Sequence, residues 1–486
     1  MQSLENLQPV GLWQQFQKIC DIPHPSYHEE QVRQYLVTFA KEHKLEHEVD
    51  QAGNVIIRKA ATAGMENRAG VILQGHMDMV PEKNADVVHD FCKDPIAAYV
   101  DGDWVKAKGT TLGADNGIGL AAALAVLVSD TIEHGPVEIL ATVNEENGMT
   151  GAQQVQPGQL KGSILLNLDT EEEGVLYIGC AGGGFLHADA VYAEETLPKE
   201  GFVYRTITVN GLKGGHSGCD IHLGRGNAIV LMTRLLRKLE VEGMRLAELG
   251  GGLLANAIPR EASAVVAIPS DKIEACTKIL DTTLSEVANE LKAAEPDLRI
   301  CMDEVAYQGR FLKVEDQSRW LRGLLLCPNG VLRMSDAVPG VVETSCNLGV
   351  VLIREGKIKV IALPRSLVDS AFWEVRDRVH ALFTMLGAEM DDRDTYPGWQ
   401  PNAESPLLKQ VQETYHTLFD KKAGVKVIHA GLECGLLGSK YPNWDMISMG
   451  PTILAAHSPD ERINIHSVNC FWQLLLASLK AVPVEK

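Results

Sequence analysis

The chain has 486 residues, of which 45% are hydrophobic and 22% charged, and its formal net charge is −19. The length predicts two or more domains, and the composition is that of a globular protein. The acid excess argues against nucleic-acid and anionic-membrane partners, because phosphate contacts need Lys and Arg.

In chain order, Leu12, Phe16 and Ile19 stand at helical spacing and predict a helix over 9–20. Val32, Tyr35, Leu36 and Phe39 predict a second over 29–41. Short apolar strands follow at 54–58, 70–73 and 137–143, with a helix over 118–128 between the last two and another strand at 164–168. Strands alternating with helices predict an α/β fold. Its sheet is mainly parallel, covered on both faces, with sites beyond the carboxyl ends of strands. The texture changes near residue 184. Strands at 185–192 and 204–209, helices at 226–240 and 272–293, strands at 341–353 and 357–362 and a helix at 368–386 predict an inserted α+β domain over 184–397, with the look of two related halves. The first pattern resumes after Tyr396-Pro397-Gly398-Trp399-Gln400-Pro401 with a helix over 405–419 and a strand at 425–428. Residues 1–183 and 398–486 are therefore expected to form one domain.

The ten cysteines are scattered without a C-x-x-C pair, which reads as mostly buried thiols in a reducing compartment. Residues 1–6 lack the basic and apolar segments of a secretory leader, and the longest apolar run, Gly117 to Val128, is too short to span a bilayer. The expected location is the cytoplasm.

Five places carry side chains suited to chemistry. In Val71-Ile72-Leu73-Gln74-Gly75-His76-Met77-Asp78, the His and the carboxylate are two residues apart and face one side of an extended strand end. Asp115 lies in the Gly-rich stretch Gly113-Ala114-Asp115-Asn116-Gly117, which lacks the pattern of a phosphate loop. Glu145 and Glu146 follow one strand, Asp169 follows another, and His457 sits before Ser458-Pro459. Each alone has a plain structural reading: strand-end polar residues, a helix N-cap, a solvated turn, a turn cap, a surface imidazole. Together, His76, Asp115, Glu146, Asp169 and His457 supply two imidazoles and three carboxylates. That set suits two zinc ions if one carboxylate bridges, and Glu145 beside it suits a general base.

In this order and over the whole chain, the motifs resemble the di-zinc metallopeptidase family of carnosinases, deacylases and tripeptidases. The strings Ile22-Pro23-His24-Pro25-Ser26-Tyr27-His28-Glu29-Glu30, Gly109 to Gly119, Gly214-Gly215-His216-Ser217-Gly218, the 396–401 stretch and His429-Ala430-Gly431-Leu432-Glu433-Cys434-Gly435 point to its dipeptidase branch. The resemblance implies a catalytic domain of di-zinc aminopeptidase type with an inserted lid and dimerisation domain. It implies two zinc ions, with cobalt or manganese as alternatives, held by His76, Asp115, Glu146, Asp169 and His457, and Asp115 bridging. It implies Glu145 as general base, Asp78 as the residue orienting His76, and a cis peptide after Asp115. His216, Asn256 and Arg365 match substrate-binding positions. Asp at position 169 matches the aminopeptidases and dipeptidases, where Glu goes with carboxypeptidases and deacylases. The usual His-Thr-Asp reads His-Met-Asp here, and His429 and Glu433 depart from the usual pattern, so their roles stay open.

The expected activity is metal-dependent hydrolysis of dipeptides with free termini, Xaa-His and carnosine-like substrates included. The expected partner is a second copy of the chain, with no nucleic acid and no membrane. The resemblance implies dimers in which His216 reaches the partner's site; the alternatives are that it serves its own protomer or caps a helix. A deacylase of the same family and a non-catalytic metal-binding scaffold are the competing readings. A serine hydrolase is disfavoured, because Gly215-His216-Ser217-Gly218 is not G-x-S-x-G.

Overall fold

A computed structural model describes residues 4–198, 200–336 and 338–485; residues 1–3, part of the stretch read for a leader, lie outside it. The chain divides into two compact units. The first holds residues up to 180, 399–427 and from 432 onward; the second holds 181–398 and 428–431.

The first unit is built on an eight-stranded sheet. Its order is Glu46–Val49, Val55–Lys59, Val137–Thr142, Val71–His76, Ile164–Asn167, Asp445–Ser448, Val175–Cys180 and Gly424–Ile428. The four central strands, Val137–Thr142 to Asp445–Ser448, run parallel, and their residues are almost all buried, as apolar strands covered on both faces require. The neighbouring Val55–Lys59, Glu46–Val49 and Val175–Cys180 are antiparallel. Glu46–Val49 and Val55–Lys59 form a hairpin, whose short turn can join only antiparallel strands. The helix Ala114–Val128 is apolar on every side and buried almost throughout. Trp13, Phe16 and Ile19 of the helix Val10–Cys20 join it in one core with Val71, Leu73 and Ile139. A small antiparallel sheet joins Ala98–Asp101 and Trp104–Ala107 to Arg462–Asn464 and Ile453–Leu454. Sequence periodicity did not reveal this sheet, and it matters for the site.

The second unit carries a nine-stranded antiparallel sheet that falls into two four-stranded halves. One half runs Arg299–Glu304, Phe202–Asn210, Ala262–Pro269, Arg245–Gly251; the other runs Val342–Arg354, Lys357–Ser366, Gly182–Val191, Glu389–Tyr396, and the ninth strand, Gly330–Met334, pairs with Val342–Arg354 off this path. The halves join where Leu249, Gly250 and Gly251 pair with Ile353, Leu352 and Val351. Helices Ala228–Glu240, Ile273–Glu290, Val314–Leu326 and Asp369–Met385 all bury residues in the unit's core. Among the described residues, no helix is long and apolar enough to cross a membrane.

Candidate active site

Three neighbouring parallel strands deliver three of the five predicted metal ligands. His76 ends Val71–His76, Glu146 follows Val137–Thr142, and Asp169 follows Ile164–Asn167. The register sets His76 beside Thr142 and Gln74 beside Asn167, so the three loops leave the same carboxyl edge together. Asp115 arrives from the non-helical first turn of Ala114–Val128, after Trp104–Ala107, and His457 from the loop before Arg462–Asn464. Those two strands pair, Lys106 with Arg462 and Trp104 with Asn464, and so bring their loops to one place.

The five side chains meet as two triads that share Asp115. Asp115 Oδ1 lies 3.1 Å from His76 Nε2, and Asp115 Oδ2 lies 3.1 Å from His457 Nε2. His76 Nε2 also lies 3.2 Å from Asp169 Oδ1, and His457 Nε2 lies 3.1 Å from Glu146 Oε1. Those last two contacts lack hydrogen-bond alignment, so Asp169 Oδ1 and Glu146 Oε1 are buried without a hydrogen-bond donor among the described residues. Ligand atoms of His76, Asp115 and Glu146 all fall within 4.8 Å of one another. The set fits a pair of divalent cations: one carboxylate presents an oxygen to each of two imidazoles, and two more buried oxygens need positive charge.

The supports of these ligands are themselves polar and buried. His76 Nδ1 donates to the Asp78 carbonyl at 3.0 Å, which leaves Nε2 as the ligand nitrogen. The Asp78 carboxylate lies 3.4 Å from the same Nδ1 but accepts closer bonds elsewhere. It takes the Glu145 N–H at 2.9 Å, the Glu146 N–H at 3.2 Å and the Ser26 hydroxyl at 2.8 Å. It therefore anchors the Glu145–Glu146 turn as well as facing His76. Glu29 takes the Asn144 N–H at 3.0 Å, which explains the Pro25 to Glu30 string as a brace for that turn. Asn144 itself has φ 55°, in the left-handed region. Glu461 accepts N–H groups from Leu112, Gly113, Ala114 and Asp115 and so ties the His457 loop to the Asp115 loop. The Asp115–Asn116 peptide is cis, as the resemblance implied. Gly75 is required by close approach: a Cβ there would meet Asn116 Oδ1 at 2.2 Å.

Electrostatics follow from burial and crowding. Burial opposes charge on His76, but Asp169, Asp115 and Asp78 outweigh it and hold its pKa well above the usual range. The Asp115 and Glu146 carboxylates beside its Nε2 push His457 up to about 11. Burial works against ionised Asp115, yet the two imidazoles hold it far below the usual carboxylate range. Burial raises Asp169 to about 7 despite His76 and lifts Glu145 well above its ordinary value, with Asp169, Glu146 and Glu433 adding repulsion.

Behind His76 runs a second polar layer, which places Glu433, whose role the sequence left open. Glu433 accepts from Gln74 Nε2 at 2.5 Å and from the Thr142 hydroxyl at 2.7 Å. Gln74 Oε1 accepts from Asn167 Nδ2 at 2.5 Å, and Asn167 Oδ1 accepts from Ser448. A chain of side chains thus crosses the four parallel strands just below the ligands.

The remaining predicted residues lie in the second unit, which gathers donors and positive charge. His216 sits on a two-residue strand paired with Ala257–Ile258. Its Nδ1 accepts the Gly218 N–H at 3.2 Å and the Cys219 N–H at 3.0 Å, so Nε2 carries the proton. The Asn256 carbonyl accepts the Ser217 N–H at 2.8 Å, and Asn347 donates to the carbonyls of Ala255 and Ala257 on either side. Arg365 is 5% exposed; its Nη1 donates to Tyr396 at 2.8 Å and its Nε is buried without an acceptor among the described residues. His429 Nε2 bonds Ser345 Oγ at 2.7 Å. Burial, then Arg365, lowers His216 to about 4 and His429 to about 3, so both imidazoles are neutral near pH 7. Sequence reasoning named Glu461 and Ser345 only as neighbours or not at all. A lone acid in a short loop, or a lone hydroxyl on a buried strand, carries no spacing signal.

A metal-dependent peptidase centre is the class of site this geometry defines. The chain belongs to peptidase family M20/M25/M40, whose model matches residues 72–480. It is 49% identical over 486 residues, 100% of both chains, to the cytosol non-specific dipeptidase of Escherichia coli (strain K12). Among solved structures it matches the aminoacylhistidine dipeptidase of Vibrio alginolyticus at 48% identity and TM-score 0.92, covering 100% of this chain and 99% of that one. Aminopeptidase PepT from Bacillus cereus ATCC 10987, at 14% identity, TM-score 0.56 and coverage of 98% and 99%, shares the fold.

Proposed function

We propose that the protein is a cytoplasmic, metal-dependent dipeptidase. It cleaves dipeptides with free termini, Xaa-His and carnosine-like substrates among them, with two zinc ions or with cobalt or manganese in their place. The observation that carries this is Asp115, whose two oxygens each lie 3.1 Å from a different histidine. Full-length likeness to two enzymes named as dipeptidases supports the substrate class.

When bound, the cations bring the pKa of a water near neutrality and offset charge on the carbonyl oxygen. Glu145, held at its backbone by Asp78, accepts the water's proton and returns it to the leaving nitrogen. The buried Arg365 guanidinium, with Asn256, binds the substrate's C-terminal carboxylate. His216, neutral with its proton on Nε2, donates to the developing oxyanion. Residues 184–397 act as the lid and dimerisation domain. The exposed outer strands of the second unit's sheet, Arg299–Glu304 and Glu389–Tyr396, leave it open to pairing with a second copy.

The test is a panel: metal-stripped and metal-restored protein against dipeptides, dipeptide C-terminal amides, tripeptides and N-acyl amino acids. Metal-dependent cleavage of free dipeptides above all others is expected. Preferred cleavage of N-acyl amino acids would make the protein a deacylase instead.

A further inference from the structure

Glu433 is a fully buried carboxylate, 0% exposed, at the start of the helix Glu433–Lys440. Both of its hydrogen bonds go to one oxygen, Oε2; the other, Oε1, is buried with no partner among the described residues. Neither donor is charged: they are an amide and a hydroxyl. No Lys, Arg or His among the described residues forms an ion pair with it. Burying a carboxylate on these terms is costly, and a fold that needed only packing here would use a neutral side chain.

The position explains the expense. Gln74 lies two residues before His76 on the same strand, so the two side chains share a face about 7 Å apart. Thr142 is the cross-strand partner of His76. Glu433 therefore sits directly behind the first metal ligand, held by the residue below it and the residue beside it. Burial raises Glu433 to about 7, His76 opposes that rise, and Asp169 and Asp78 add to it. The carboxylate thus belongs electrostatically to the metal centre while touching none of its ligands by hydrogen bond.

We propose that Glu433 is a charge-compensating residue of the metal centre, a buried carboxylate whose negative charge tightens cation binding at the strand ends in front of it. The proposal rests on the metal-centre reading given above.

Charge and shape separate in two variants. Glu433→Gln keeps the length and an oxygen for Gln74 and Thr142 but removes the charge. Glu433→Asp keeps the charge and shortens the reach. The metal-free forms of the wild type, both variants and Asp115→Ala are titrated with zinc against a competing chelator, and their thermal unfolding is recorded without metal. Glu433→Gln is expected to bind zinc about 10–100-fold more weakly, the usual scale for an outer partner of a metal ligand. Its metal-free Tm is expected to be no lower than wild type, because a buried charge has been removed. Glu433→Asp is expected to lose Tm and hold zinc within a few-fold of wild type. Wild-type affinity in Glu433→Gln, or weak binding in Glu433→Asp alone, would overturn the proposal and leave Glu433 a packing residue. Wild-type affinity in Asp115→Ala would instead bring down the metal-centre reading, and this inference with it.

Discussion

The two units gather opposite charge by the same means. In the first, five carboxylates, Asp78, Asp115, Glu145, Glu146 and Asp169, crowd around His76 and His457. Burial and mutual repulsion push Asp169 to about 7, and the acids hold His457 up to about 11. In the second, Arg365 stands with His216 and His429, and burial with that guanidinium pushes the imidazoles down to about 4 and about 3. Desolvation is common to both; the sign of the neighbours differs. The same residue type, histidine, is driven above its ordinary value in one cluster and below it in the other. The proposed function assigns cations to the first cluster and the substrate's carboxylate to the second.

The sharpest way to break that contrast is to remove the fixed cation of the second unit. Arg365→Ala is expected to lower kcat/KM for free dipeptides about 10–100-fold, the scale of a lost charge-assisted bond, and to leave C-terminal amides nearly unaffected. Equal losses on acid and amide, measured side by side, would detach Arg365 from carboxylate binding. A smaller effect tests whether the second unit serves its own chain. Inactive Glu145→Gln and His216→Ala chains are mixed under conditions of proven exchange. If His216 acts on the partner's site, random pairing restores roughly a quarter of wild-type activity, because half the dimers are mixed and each has one intact site. No recovery would confine His216 to its own protomer. The smallest effect is in pH dependence. The folded values of His216 and His429 lie below the ordinary value near 6.5, so the unfolded chain binds more protons as pH falls below that value. The two imidazoles therefore withdraw stability from about pH 6.5 towards pH 4, against the opposite contribution of Asp169 and Glu433, held near 7, and His429→Asn is expected to remove its own share, at most about 1.4 kcal/mol per pH unit. An unchanged slope in urea unfolding would show that His429 is not held neutral.

Much of the fold was legible because the central strands are short and apolar and the long apolar helix Ala114–Val128 falls between two of them. Val71–His76, Val137–Thr142 and Ile164–Asn167 all fall where periodicity put them, to within a few residues. The margins were not legible, for physical reasons. Asp445–Ser448 has four residues, too few for a period to show, yet it is a central parallel strand. Arg299–Glu304 and Glu389–Tyr396 lie at the ends of their sheet and are largely exposed, so they carry charge in place of alternation. The ligand residues could be named from motif order, but their supports could not. Glu461 accepts four backbone N–H groups, and Glu433 leans on Gln74 and Thr142; these pairings span 346 to 349 and 291 to 359 positions along the chain. Only the folded register brings such partners together. Asp78 shows the limit from the other side. The resemblance gave it one task, orienting His76, and its shorter bonds also hold the Glu145–Glu146 turn.

The central claim is that the acid cluster binds metal through its triads while Glu145, beside them, moves the proton. Glu145→Gln keeps the side chain's shape and removes its basicity. Its metal content, measured by elemental analysis, and its turnover of a free dipeptide are read on the same preparation. Wild-type metal content with turnover reduced about 10²–10⁴-fold is the expected result. Turnover near that of the wild type, with metal bound, would contradict the account.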